Sequence, residues 1–106
     1  MRILIVDDIK ENLYILEALL KANGYEIVSA GNGAETLEKL RTESIDIIVS
    51  DVLMPVMDGF KFCKEVKGKD ELKNIPFIFY TATYKDERDE KLALMLGADK
   101  YILKPA

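Results

Sequence analysis

A chain of 106 residues, 49% apolar and 32% charged, has room for one domain with a radius of gyration near ~13 Å and excludes a second. Its 15 basic and 19 acidic residues leave a net charge of −4, which lacks the basic footprint of phosphate-backbone binding, so no direct nucleic-acid contact is expected. The lack of histidine and the single cysteine, Cys63, rule out Ser-His-Asp or Cys-His catalysis, His-ligated zinc and a disulfide framework.

Residues 3–6 form the first β-branched and aliphatic run, apolar without alternation, as in a strand covered on both faces of a parallel sheet. Leu13, Leu16, Leu19 and Leu20 then recur at helical spacing, and Gly24 supplies a stop. Residues 25–29 read as a second strand, and Asn32 followed by Glu35 resembles a capping box ahead of Leu37 and Leu40. A third strand is expected over residues 45–50, followed by a helix with Phe60, Cys63 and Val66 on one side. The fourth strand, residues 75–80, precedes a helix whose stripe is Leu92, Met95 and Leu96 and which stops at Gly97; residues 100–103 are the fifth strand. Glu17 interrupts the longest apolar stretch, and no basic leader precedes an apolar segment, so neither a membrane span nor a targeting segment is expected and the chain is placed in the cytosol.

Strand and helix alternate with short connections, which predicts an α/β fold: a doubly wound, five-stranded parallel sheet of flavodoxin-like order 2-1-3-4-5, with all 106 residues in one domain. The first and third strands are then central. Ligands of such sheets bind where the carboxyl ends of strands one and three meet.

Three carboxylates converge there. Strand one ends in Asp7 and Asp8, and strand three ends in Asp51. At ~5 Å and an effective dielectric near 20, each like-charged pair repels by roughly 3 kcal/mol, which either raises a carboxyl pKa or demands a cation. An all-oxygen cluster suits a hard divalent ion, Mg²⁺ above all. Taken singly, an Asp after a strand is more often a helix cap than a ligand; the convergence of three argues against that reading. Strand four ends at Thr81 and strand five at Lys104, so a hydroxyl and an ammonium join the same edge. Lys104 can neutralise Asp51 and hold a phosphoryl oxygen, and Thr81 can donate a hydrogen bond to the same group. Cys63 reads as a buried helix residue and not as a reactive thiol.

The VDD of Val6 to Asp8, the DVLMPVMDG of residues 51–59, the TA pair Thr81-Ala82 and the KP pair Lys104-Pro105 together resemble the receiver domain of two-component response regulators, in order and spacing, over nearly the whole chain. The resemblance implies that Asp51 is the phosphoacceptor, and that Mg²⁺ is held by Asp8, by Asp7 directly or through water, by Asp51 and by the backbone carbonyl of Leu53. It implies that Thr81 and Lys104 contact the phosphoryl group, and that Thr81 and Tyr101 form the switch. Pro55 fixes the backbone after the acceptor strand and Gly59 permits a tight turn before the third helix; by resemblance, Pro105 follows a cis bond that aims Lys104 inward.

The implied function is phosphorelay signalling. A phosphoryl group passes from the phosphohistidine of a sensor histidine kinase or phosphotransfer protein to Asp51, and a conformational switch follows; the domain is no enzyme beyond catalysing its own phosphorylation and dephosphorylation. Leu53 and Thr83, at positions that govern water access in the family, offer no carboxylate or amide to orient a water, which predicts a long-lived phosphoryl group. The chain ends at Ala106, without the fifth helix of family members, so an uncovered apolar sheet face is expected. A homodimer through that face, or through the helix-four and strand-five face, is the corresponding expectation. The alternatives are less well matched. A haloacid-dehalogenase-type phosphatase needs an Asp where Ile9 stands, and a flavodoxin-like FMN protein needs a hydroxyl- and Gly-rich loop where Asp7 and Asp8 stand. The remaining alternative is a phosphorylation-independent interaction module of receiver shape.

Overall fold

Apolar β-branched runs pair and the segments of helical period cover them. The computed structural model describes residues 1–52, 59–81 and 87–103, with the side chains of residues 33, 87–89 and 103 left aside. The order is β1 (Arg2–Val6), α1 (Lys10–Ala22), β2 (Glu26–Ala30), α2 (Gly33–Thr42), β3 (Ile47–Ser50), α3 (Gly59–Lys67), β4 (Phe77–Thr81), α4 (Glu87–Met95) and β5 (Lys100–Leu103). The strands form one parallel sheet of order β2-β1-β3-β4-β5, with β1 and β3 inside, as expected.

Strand limits differ from the expected ones for identifiable reasons. Strand β4 begins at Phe77 and not at Ile75, because Pro76 has no N–H to give to the ladder, although its carbonyl accepts from Ile48 N–H at 2.9 Å. Strand β3 begins at Ile47, since the Asp46 side chain instead accepts from the Arg2 N–H at 2.7 Å. Tyr25 belongs to the turn after α1, where Gly24 takes φ +89°.

One face of the sheet is well covered. Leu4, Val6, Ile48, Phe77 and Phe79 join Leu40 of α2, Phe62, Cys63 and Val66 of α3 and Ala93 of α4 in one cluster. Phe62 is wholly buried against the Phe77 ring at 5.3 Å, whereas Phe60, expected to be a stripe residue, is only half-buried. Among the described side chains of α4 the buried contact is the small Ala93; Leu92 and Met95, expected to face inward, are 42% and 84% exposed, because the helix lies close to the core through its alanine. The capping box of α2 forms: Asn32 Oδ1 accepts from Glu35 N–H at 2.8 Å, and Glu35 Oε2 reaches back to Gly31 N–H at 3.1 Å.

The opposite face is different. Helix α1 contains no buried residue, and Tyr14, Ile15 and Leu19 are 75%, 66% and 57% exposed. Between α1 and the sheet runs a groove of about 380 Å³ whose apolar lining includes Ile5, Val49, Leu16 and Leu19. Of the sheet residues beside it, Ile5 is wholly buried and Val49 and Tyr80 are half-buried.

Candidate functional site

Sheet register decides where the site residues fall. Val6 pairs with Ser50, so the next residues along the two central strands, Asp7 and Asp51, emerge side by side; Asp51 N–H donates to Val6 O at 2.9 Å and Asp7 N–H to Ala30 O at 3.2 Å. The backbone thus fixes both before any side chain is considered. Asp7 and Asp51 are 6% and 9% exposed, while Asp8 lies in solvent. One carboxylate oxygen from each of the three lies within 4.8 Å of the others. At that separation each pair of charges repels by at least about 3 kcal/mol at an effective dielectric near 20.

Each buried carboxylate is held by hydrogen bonds. Asp7 Oδ1 accepts from the Ile9 N–H at 2.9 Å and Oδ2 from the Asn12 amide at 3.3 Å. Asp51 Oδ1 accepts from Val52 N–H at 2.7 Å, and the buried Ser50 hydroxyl donates to the Asp51 carbonyl at 2.8 Å. Asp7 does not cap α1 as a helix-terminal residue: Ile9 occupies that position, without a side-chain cap, and Asp7 closes the turn leading into it. Three carboxylate oxygens this close together make a compact all-oxygen donor set, which fits a hard divalent cation such as Mg²⁺.

Ser50 pairs with Phe79, so Thr81 stands two residues further along the neighbouring strand, wholly buried at its carboxyl end. Gly59, which opens α3, donates its N–H to Val52 O at 2.7 Å and so joins the start of that helix to the residue after Asp51. Tyr101 pairs with Phe79 on the edge strand, half-buried with its ring 6.0 Å from that of Phe79, and β4 stands between it and the acidic cluster. Leu53, Pro55, Ala82, Thr83, Lys104 and Pro105 lie outside the described residues. Two contributors escaped the sequence reading, Asn12 and Ser50. Asn12 carries a weak signal, since Asn is a poor helix former yet stands third in α1; a Ser at the end of a strand carries none.

Cys63 is wholly buried on α3, with its sulfur 3.9 Å from the Leu96 carbonyl, and burial pushes its thiol up to about 11, with the Lys67 ammonium opposing the shift. It is remote in role from the carboxylates, as expected for a packing residue. No helix among the described residues is long and apolar enough to cross a membrane.

Comparison with known proteins agrees with this geometry. A family model described as the response regulator receiver domain matches residues 3–106. The chain is 40% identical over 105 residues to the alkaline phosphatase synthesis transcriptional regulatory protein PhoP of Bacillus subtilis, covering 98% of this chain and 42% of that protein. It is likewise 40% identical over 105 residues to the response regulator PleD of Caulobacter vibrioides, covering 98% and 23%. The chain therefore spans less than half the length of these curated relatives. Among solved structures, the signal receiver domain of a signal transduction histidine kinase from Syntrophus aciditrophicus aligns with a TM-score of 0.90 at 39% identity, covering 99% of this chain and 79% of that one. The chemotaxis response regulator CheY4 of Vibrio cholerae aligns at 0.91 and 32% identity, covering 99% and 87%.

Proposed function

Since the chain belongs to the response regulator receiver domain family of two-component systems, we propose that it accepts a phosphoryl group on Asp51 from the phosphohistidine of a sensor histidine kinase or a phosphotransfer protein. The observation that supports this most directly is the meeting of Asp7, Asp8 and Asp51 within 4.8 Å at the carboxyl edge of the two central strands. A carboxylate oxygen of Asp51 attacks phosphorus, the P–N bond to the donor imidazole breaks, and the imidazole leaves with the bonding pair. The product is an acyl phosphate.

Such transfer passes through a loose, highly charged transition state, so positioning and charge stabilisation carry the rate. Asp7, Asp8, Asp51 and the Leu53 carbonyl would hold Mg²⁺, and a bound divalent ion would offset the charge that the incoming phosphoryl oxygens add to three carboxylates. The Val52 hydrogen bond keeps the Asp51 carboxylate in place for attack, while the β3 ladder and the Ser50 hydroxyl hold the Asp51 main chain. The Lys104 ammonium pairs with Asp51 before transfer and with a phosphoryl oxygen after it. The Thr81 hydroxyl, at the end of the next strand, donates to the same group. Drawing Thr81 toward the acyl phosphate vacates space beside β4, into which the Tyr101 ring turns, and the α4 and β5 face shifts between two populations. The domain thereby promotes its own phosphorylation and dephosphorylation and acts on no separate substrate. It works in the cytoplasm with its kinase and without direct contact to nucleic acid or membrane, and pairs with a second copy through the α4 and β5 face or the groove beside α1.

The test is mass spectrometry after incubation with acetyl phosphate and magnesium. The expected result is a single phosphoryl adduct on Asp51 that disappears in Asp51→Asn and on chelation of the metal. An unmodified wild-type chain, or an adduct elsewhere, overturns the reading and favours an interaction module that needs no phosphate.

A further inference from the structure

Val52 N–H donates to the Asp51 carboxylate and the Ser50 hydroxyl to the Asp51 main-chain carbonyl. Asp7 is restrained on one oxygen by the turn at Ile9 and on the other by a side chain from α1, the Asn12 amide at 3.3 Å. The terminal torsion of an aspartate is broad, so each hydrogen bond to a different carboxylate oxygen narrows the swing of its plane. The Asn12 bond therefore opposes the tendency of Asp7 to turn away from Asp8 and Asp51 under their mutual repulsion.

The chemistry of the second donor is informative. A Lys or Arg at this place would bring its own positive charge to Asp7 and compete with a cation for it. An amide fixes the carboxylate and leaves its charge intact. Asn also forms helix less readily than Ala, Leu or Lys, so it stands at the third position of α1 at some cost to local helix stability.

Building on the metal-dependent acceptor reading above, we infer that Asn12 is a positioning residue for the divalent cation: its amide holds Asp7 in the orientation that completes the acidic cluster without neutralising it. Outer partners of metal ligands act in this way, and their loss costs about ten- to a hundredfold in metal affinity.

The test is calorimetric titration of the whole chain with MgCl₂, with urea unfolding in EDTA alongside. In Asn12→Leu, which keeps the bulk and removes the donor, the Mg²⁺ dissociation constant is expected to rise about tenfold while the metal-free unfolding midpoint stays within error. In an Asp7→Asn background the same change is expected to have no further effect on Mg²⁺ affinity, which a purely structural role of Asn12 would not produce. Asn12→Ala serves in the same scheme if the leucine perturbs folding. Equal dissociation constants in wild type and variant, or an undiminished effect in the Asp7→Asn background, overturn the inference. A wild-type chain that takes up no Mg²⁺ overturns the metal-dependent reading on which it rests, so the two failures are told apart.

Discussion

Gly59 packs its bare Cα against the backbone of Asp51: a methyl group there would fall on the Asp51 carbonyl oxygen and lie 2.8 Å from Val52 Cα and 3.0 Å from the Phe79 ring. Two of these three neighbours are main chain, which cannot yield as a flexible side chain can. The first residue of α3 and the end of β3 are thereby held in contact through a missing side chain. Gly59→Ala is expected to destabilise the domain by about 1–3 kcal/mol, the usual range for overpacking. Because the displaced atoms belong to Asp51, phosphoryl uptake from acetyl phosphate should fall as well. Urea denaturation and the uptake rate, measured on the same preparation, check both halves.

Helix α2 offers a local test away from the site. Asn32 and Glu35 satisfy two backbone N–H groups at its start, Glu35 and Gly31, at 2.8 and 3.1 Å. Asn32→Ala is expected to cost about 1 kcal/mol in denaturant unfolding and to leave Mg²⁺ affinity unchanged.

Cys63 gives a pH dependence of definite sign. Burial holds its thiol at about 11 in the folded chain against 9.0 ordinarily. Below pH 9 both states carry the proton and the group contributes no slope. Between the two values the unfolded chain releases the proton and the folded chain keeps it, so stability falls as pH rises, by on the order of 2–3 kcal/mol across the window. The difference in unfolding free energy between wild type and Cys63→Ala should therefore shrink from pH 9 upward. Thiol reagents should modify Cys63 only as fast as the chain unfolds.

On the acceptor reading, the lifetime of the acyl phosphate is open to one substitution. Leu53 and Thr83 present neither a carboxylate nor an amide to a water molecule. Leu53→Asn is expected to speed the decay of the phosphorylated chain, and equal decay rates followed by mass spectrometry would dismiss water orientation at this position.

Strand order and the carboxylate cluster were legible in the sequence because both follow from strand ends. Runs of apolar residues without alternation mark β1 and β3, two of the three inner strands, and whatever follows them must meet at the sheet edge. Helix faces were less legible. The spacing of Leu92, Met95 and Leu96 outlines a stripe, yet α4 rests on Ala93, since a small residue lets the helix approach where large ones would hold it off. Likewise the period of α3 passes through Phe60, but the rings of β4 leave the deeper space for Phe62. Hydrogen bonds such as Asn12 to Asp7 depend on how a helix is aimed after its turn, which no spacing rule encodes.

The groove beside α1 is bordered at one end by Asp7, Asn12 and Asp51 and farther along by Ile15 and Leu19. Acidic edge and oily floor are therefore one continuous concavity. A guest seated on the leucines and touching Asn12 would alter the grip on Asp7 and so the ion's affinity, and by linkage the ion would alter the guest's affinity by the same factor.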